Sequence, residues 1–340
     1  MITNDWNLFL EKIPRTKKDL YFTQEYSRLY EDEHHRAMAF VYEENDSTFV
    51  FPMLLSPVPE SGGLYDFETP YGYGGPVSNS AEGGFFDRAA ASLIKEAKDA
   101  GILAGLIRFH PLLDNVEFMK GSFPVSLDRE TVYMDLEADE TSIWTDQIHG
   151  KNRNAIRKAI EQGMEFEVDD SFSRIREFAL LYDKTMKRLN AEEFYFFDEP
   201  YFLTLAKAFE GKGFLANVLK DGALASSAII LHDEDLGHYH LSGSDPELLK
   251  ANPNNFMLYR AALELKRRGA KKFHLGGGSD SDPKNSLLAF KKKFSSFSSW
   301  FFIAKPVFLK QEYEEICERW EAKNPLKIAR YANYVLKYRY

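Results

Sequence analysis

The feature that most constrains the fold of this chain is an order of elements that occurs twice. Strand-like runs at 37–42 and 48–55, with a turn at 43–47, precede a third run at 63–68 and a loop rich in glycine and proline at 69–76. A helical pattern over 82–100 then stops at Gly101 and a strand pattern fills 102–109. The second half repeats this order, with strand patterns at 214–220, 223–232 and 236–242, a loop, a helix pattern at 256–269 and a strand at 271–275. Residues 65–69 fall on residues 237–241 at an offset of 172, and Arg88, Ala89 and Ala90 fall on Arg260, Ala261 and Ala262 at the same offset. The two helices end at Gly101 and Gly269, so one half carries a four-residue insertion. Unrelated domains have no reason to share an order of elements at constant spacing. The sequence therefore predicts an α/β (α+β) chain of two tandem modules, each a mixed, largely antiparallel sheet flanked by helices. The expected boundaries are 1–149 and 150–310, with C-terminal helices at 311–340.

Further elements fit around these. Helices are expected at 4–13, 24–32, 151–162 and 173–189, strands at 132–136 and 300–309, and a helical tail at 312–340 broken near Pro325. The chain has 340 residues, 44% of them apolar, which is ample for two cores. It has no apolar run of 18 residues and no secretory pattern, so a cytoplasmic protein with at most peripheral membrane contact is expected. Cys317 is the single cysteine, which excludes an internal disulfide and a cysteine-based metal site. Residues 1–149 carry 12 basic and 26 acidic residues, whereas residues 150–340 carry 31 and 26. That balance excludes a dedicated duplex DNA binder but allows a local grip on phosphates or a tRNA end.

The chemistry is expected at residues 273–294, FHLGGGSDSDPKNSLLAFKKKF. A strand ends in Gly276, Gly277 and Gly278, and three glycines in a row signal positive φ or the close approach of a ligand or another backbone. In the helix that follows, Leu287, Phe290 and Phe294 form the expected apolar stripe. At roughly 100° per residue, Lys291 lies about 70° from the centre of that stripe and Lys292 about 170° away. Lys291 is thus the lysine drawn inward, where an ammonium stabilises negative charge developing on a reacting carbonyl. Arg153 and Arg157 lie one helical turn apart, a like-charge spacing that an anion would offset.

These segments resemble the FemABX-like branch of the GNAT (N-acetyltransferase) fold. The resemblance is carried by Thr69–Pro76 (TPYGYGGP), Lys151–Gly163 (KNRNAIRKAIEQG), residues 181–202 with Tyr182, Met186–Arg188 and Tyr195–Phe197, and the HLGGG loop with Phe290-Lys291-x-x-Phe294. It implies transfer of an acyl or aminoacyl group to an amine on a cell-envelope precursor, such as a peptidoglycan peptide, or on a polysaccharide amino sugar. The donor it implies is acyl-CoA or aminoacyl-tRNA, used as a co-substrate with no tightly bound cofactor. The lysine of the F-K-x-x-F helix is a site residue in such proteins, and Lys291 holds that position. The stretch 243–255 departs from the pattern, because it lacks the Q/R-x-x-G-x-G/A loop that holds CoA pyrophosphate in ordinary GNAT enzymes.

On this reading Lys291, Tyr182 and His240 are the candidate catalytic residues. Tyr71, Tyr73, Arg153, Arg157, Arg188, Tyr239, Ser242, Gly277 and Gly278 are the candidate substrate-binding residues, and no metal ligands are expected. The two modules are expected to hold a groove against the glycine segment. The alternative is a non-catalytic binder of a sugar nucleotide or tRNA end on the same duplicated fold. The chain has no G-x-x-x-x-G-K-[ST], H-E-x-x-H, C-x-x-C or G-x-S-x-G motif, and its three glycines lack dinucleotide-binding spacing.

Overall fold

The computed structural model describes residues 1–340. The chain divides into two compact units, Met1–Asp128 with Trp300–Tyr340, and Arg129–Ser299. The predicted boundaries fell at 149/150 and 310/311. The first unit contains β1 (Ile2–Thr3), β2 (Arg36–Glu44), β3 (Ser47–Pro57), β4 (Tyr65–Glu68), β5 (Val77–Ser78) and β6 (Ile102–Arg108). The strand β7 (Val125–Asp135) leads into the second unit, which holds β8 (Glu165–Asp169), β9 (Gly213–Lys220), β10 (Ala223–Asp233), β11 (Leu236–Ser244) and β12 (Lys272–Gly277). The last strand, β13 (Ser298–Ala304), returns the chain to the first unit.

Within each unit the sheet is antiparallel except at one pair. In the first unit β2–β3 and β3–β4 are antiparallel, β4–β6 is parallel, and β13 pairs antiparallel with β6. In the second unit β8–β9, β9–β10 and β10–β11 are antiparallel, β11–β12 is parallel, and β7 pairs antiparallel with β12. Parallel neighbours need a crossover, and in each unit a helix supplies it. The crossover helix is Gly83–Asp99 in the first unit and Pro253–Arg267 in the second. In each unit the strand before the loop runs parallel to the strand after the crossover helix: Tyr65 lies opposite Ile102 in β6, and Gly237 lies opposite Phe273 in β12.

Each crossover helix buries one face. Phe85, Ala89, Leu93 and Ala97 are fully buried against Phe40, Phe51, Phe67 and Ile107 in the first unit. Phe256, Met257, Ala261 and Leu265 are buried against Phe214, Ala228, Ile230 and Phe273 in the second. Each such large apolar side chain stabilises its unit by about 1.5–3 kcal/mol relative to an exposed one. Small residues set the spacing. A Cβ on Gly237 would come within 2.5 Å of Leu265, and one on Gly243 within 2.8 Å of the Leu181 and Tyr182 backbones. In the first unit, the helix Lys310–Lys323 buries Ile316, Cys317 and Trp320 against Val58, Leu103 and Ala104. Beyond it the predicted helical tail is only one short helix, Ile328–Tyr331, and a final turn. Pro325 ends the regular pattern.

Candidate active site

The glycine segment folds as a bulge, a loop and a single-turn helix on the edge of β12. Between His274 and Gly276 the register against β7 shifts by one residue, and Gly276 takes φ +78°. A glycine in the left-handed region is the usual means of making such a bulge, which turns the chain away from regular pairing. Gly277 and Gly278 are needed for a different reason, close approach. A Cβ on Gly277 would lie 2.8 Å from the Glu130 carbonyl oxygen, and one on Gly278 would lie 2.7 Å from the Asn285 side chain. Asn285 then caps the helix Ser286–Lys291. Its Oδ1 accepts from the amides of Leu287 at 2.9 Å and Leu288 at 3.2 Å, while its Nδ2 donates to the Ser279 hydroxyl at 2.7 Å. Such a cap contributes about 1 kcal/mol.

This cap sets the helix face, and the face differs from the predicted stripe. Leu287 is exposed and Phe290 half-buried; the buried positions are Leu288, Lys291 and Phe294. The helix is rotated by about one residue because Asn285 fixes its start and the chain leaves it in turns directly after Lys291. Lys291 therefore stands in the middle of the inward face, 7% exposed. Lys292 is exposed as expected, and it donates to Glu130 at 2.6 Å.

The Lys291 ammonium donates to the Gly277 carbonyl at 2.7 Å and sits 5.9 Å from the centre of the Tyr239 ring. No carboxylate lies within ion-pair distance of it. Burial, aided by the positive charge of Arg129, brings its pKa down to about 7. At neutral pH it therefore exchanges readily between ammonium and amine. Arg129, on β7, donates to the next carbonyl along, that of Gly278, at 3.0 Å.

Facing this cluster, β11 carries a bulge of its own. Ile229 pairs with Leu241 and Ile230 with Tyr239, so His240 is the extra residue. The Tyr239 hydroxyl donates to Ser242 Oγ at 2.5 Å, and burial raises the pKa of the phenol. His240 Nε2 lies 3.4 Å from the Tyr201 hydroxyl, and its pKa is held down to about 3, first by burial and then by His238. Its imidazole is neutral at any physiological pH.

The structure thus brings together Lys291, Gly277, Gly278, Tyr239 and Ser242 in the second unit, with His240 next to Tyr239 at the bulge and beside Tyr201. It does not bring Arg153, Arg157 or Arg188 to them. Arg153 donates to the carbonyls of Trp144, Thr145 and Ile148, where it closes the turn before the helix Gly150–Glu161. Arg157 donates to Asn154 at 2.8 Å and lies over the Trp144 ring, and Arg188 is exposed in the last turn of the helix Ile175–Leu189. Tyr182 is buried on that helix, and its hydroxyl donates to the Tyr195 carbonyl at 2.8 Å. Burial raises its pKa. Tyr71 and Tyr73 belong to the first unit. The Tyr71 carbonyl accepts from Tyr26, and the Tyr73 ring packs edge-on against Tyr21 and Phe301. Sequence reasoning missed Arg129, Asn285 and Tyr201. Two surface depressions of the second unit, about 550 Å³ beside Asp169 and about 470 Å³ beside Tyr259, contain none of the site residues.

The chain has a FemABX-like, GNAT-related acyltransferase fold. Residues 149–292 match the family model described as an acetyltransferase (GNAT) domain. The crystal structure of FemX is 17% identical with a TM-score of 0.70, and the match covers 93% of this chain and 98% of that one. The structure of L-PGS from Bacillus licheniformis is 17% identical with a TM-score of 0.58, covering 88% of this chain and 90% of that one. The C-terminal domain of a putative lysylphosphatidylglycerol synthetase from Agrobacterium fabrum is 16% identical with a TM-score of 0.57, covering 87% and 92%. No curated protein sequence matches the chain. The domain match supports acyl transfer as the general reaction class of residues 149–292. No helix is long and apolar enough to cross a membrane.

Proposed function

We propose that this protein transfers an acyl or aminoacyl group from a thioester or ester donor to an amine, with Lys291 at the reacting carbonyl. The observation that carries the reading is a buried lysine whose hydrogen-bond partner is a main-chain carbonyl and which has no carboxylate beside it. In such a site a lone ammonium is strongly disfavoured unless negative charge appears next to it. A tetrahedral intermediate supplies that charge. As the acceptor nitrogen attacks the carbonyl carbon, the carbonyl π electrons move to oxygen, and the Lys291 amine takes the proton that the attacking nitrogen releases. The ammonium so formed faces the oxyanion; when the intermediate collapses, the donor's sulfur or oxygen leaves and the proton passes to it. One well-placed donor to an oxyanion is worth about 2.7–4 kcal/mol in barrier height.

Tyr239 and Ser242 shape the wall beside the ammonium, and neutral His240 lies within hydrogen-bond reach of Tyr201. Tyr182, with its hydroxyl held by Tyr195, anchors the aromatic segment that carries Tyr201. The acceptor class we propose is an amine of a cell-envelope precursor, a peptidoglycan peptide or a polysaccharide amino sugar. Of the two donors, the aminoacyl ester is favoured. The helix Pro253–Arg267 begins with a proline, which has no N–H, and Ser244 Oγ donates to Asn254 at 2.7 Å, so the usual pyrophosphate cradle is incomplete. The test is to incubate the protein with labelled acetyl-CoA and, separately, with labelled aminoacyl-tRNA, each with candidate amines. Turnover of one donor by the wild type, with at least a hundredfold loss in a folded Lys291→Met variant, is the expected result. Turnover of neither donor, or full activity in the variant, overturns the reading.

A further inference from the structure

We infer that residues 322–334 are a docking surface for an anionic phospholipid bilayer, with Leu326 and Ile328 entering the headgroup boundary and Lys323 and Lys327 meeting lipid phosphates. Seven of the 13 residues in this stretch are apolar, three are basic and none is acidic. Yet none of the 13 is buried. Leu326 is 97% exposed, and Ile328 and Tyr334 are exposed as well. Apolar residues scattered singly over a surface need no explanation, whereas a continuous run of them marks an interaction site. The run is not exposed for want of anchors. Trp320 before it and Val335, Leu336 and Tyr338 after it are buried against Val58 and Leu103. The Tyr313 hydroxyl donates to the Val335 carbonyl at 2.8 Å, and Lys305 donates to the Asn333 carbonyl at 2.6 Å. The first unit thus clamps both ends of the stretch and holds its apolar middle outward.

The charges around the run select the occupant. Lys327 donates to the Tyr340 main-chain oxygen at 3.0 Å, and Arg330 lies over the Tyr331 ring at 5.4 Å. Lys323 is paired with Glu60, but both side chains are more than half exposed, and such a bridge is weak enough to yield to other anions. The nearest acids in sequence all precede residue 322. Glu314 is paired with Lys310, Glu315 accepts from Gln311, and Glu321 is paired with Lys337. Aliphatic tips beside lysines suit a bilayer, whose phosphates are negative and whose acyl chains lie just beneath them. Tyr334 adds an amphipathic ring of the kind that sits at headgroup level. A nucleic acid would use the same cations but would stack its bases on open aromatic faces. The Tyr331 ring is already taken up by Tyr340 at 4.6 Å, Tyr334 at 5.2 Å and Trp320 at 6.1 Å, and Leu326 and Ile328 offer a base nothing to stack on. A second copy of the chain, docked on the same face, would set these cations against their like.

The test is sedimentation of the full chain with vesicles of equal parts phosphatidylserine and phosphatidylcholine, and with vesicles of phosphatidylcholine alone. The expected result is saturable binding to the mixed vesicles that falls as sodium chloride is raised, and binding roughly tenfold weaker or less on the neutral ones. Leu326→Ser is expected to weaken binding roughly tenfold or more, and Lys327→Gln about fivefold. Both side chains are exposed, so circular dichroism is expected to show an unchanged fold. Leu326→Cys carrying an environment-sensitive fluorophore is expected to brighten and shift to the blue on the mixed vesicles; Cys317, the other cysteine in that variant, is buried. Failure to bind the mixed vesicles overturns the inference, as does binding unchanged by Leu326→Ser or a label whose emission does not move. Binding of tRNA that Lys327→Gln weakens, with no binding to vesicles, overturns it in favour of a nucleic acid. None of these measurements uses an acyl donor, so this surface stands or falls independently of the acyl-transfer reading.

Discussion

Replacing Lys291 with methionine is expected to stabilise the chain, and by an amount that depends on pH. The side chain is 7% exposed, and its pKa falls from 10.5 to about 7 on folding, chiefly through burial. At about 1.4 kcal/mol for each pH unit, that corresponds to about 5 kcal/mol. The sign follows from proton counting. Between pH 7 and 10.5 the unfolded chain holds the proton and the folded chain does not, so stability rises with pH across that window. Below pH 7 both states are protonated and the full penalty of about 5 kcal/mol is present. Methionine has similar length, carries no charge and gives up one hydrogen bond worth about 1 kcal/mol. Lys291→Met is therefore expected to exceed the wild type by roughly 4 kcal/mol at pH 6, and the difference is expected to shrink by roughly 2.5 kcal/mol at pH 9. Urea unfolding followed by circular dichroism at pH 6, 7.5 and 9 measures both quantities. A difference that stays constant across that range refutes the argument, as does a variant less stable than the wild type at pH 6.

Other perturbations probe separate parts of the same account. Gly243→Ala drives a Cβ to within 2.8 Å of the Leu181 and Tyr182 backbones, and thermal denaturation is expected to register a loss of about 1–3 kcal/mol. Arg339→Met removes the two-pronged partner of buried Asp66, at 2.7 and 2.8 Å, and should cost about 3–5 kcal/mol in urea unfolding because it strands a buried carboxylate. Tyr182→Phe deletes only the hydrogen bond to Tyr195; stability should fall by about 1 kcal/mol while turnover stays within a few-fold, and a hundredfold loss of kcat would instead make the hydroxyl a proton carrier. Once a donor is known, the pH–rate profile should show one inflection near 7 from Lys291 and none near 6.5 from His240, whose pKa of about 3 keeps it neutral throughout.

Much of the fold was legible because its signals are local. The helix pattern at 82–100 is the helix Gly83–Asp99, and the runs at 214–220, 223–232 and 236–242 are β9, β10 and β11. The candidate site was legible at Lys291 and the glycines, where residue type alone restricts the backbone. It was not legible at Arg129. The apolar alternation of Val132, Met134 and Leu136 marked the end of a strand, but β7 begins at Val125, and its first half is too polar to declare itself. The short strand β8 was missed because Glu165–Asp169 has only two apolar residues and gains its stability from pairing with β9. The helix face at Lys291 came out one residue off because Asn285, a capping residue in a run of turn formers, sets the phase, and the apolar count favoured the neighbouring face. The arginines at 153 and 157 show the opposite error. Their spacing suggested an anion, whereas carbonyls at the end of the preceding turn and the Trp144 ring take them.

The seat of Lys291 is a main-chain atom, the oxygen of Gly277, on a strand paired with β7 and packed closely against the Glu130 backbone. A coordinate frame of that kind does not drift when neighbouring side chains are exchanged. Neighbouring side chains such as Tyr239 and Ser242 can therefore be exchanged while the lysine keeps its position. For anyone seeking to retune this scaffold, the glycines are the letters to leave alone and the aromatic walls are the ones to edit.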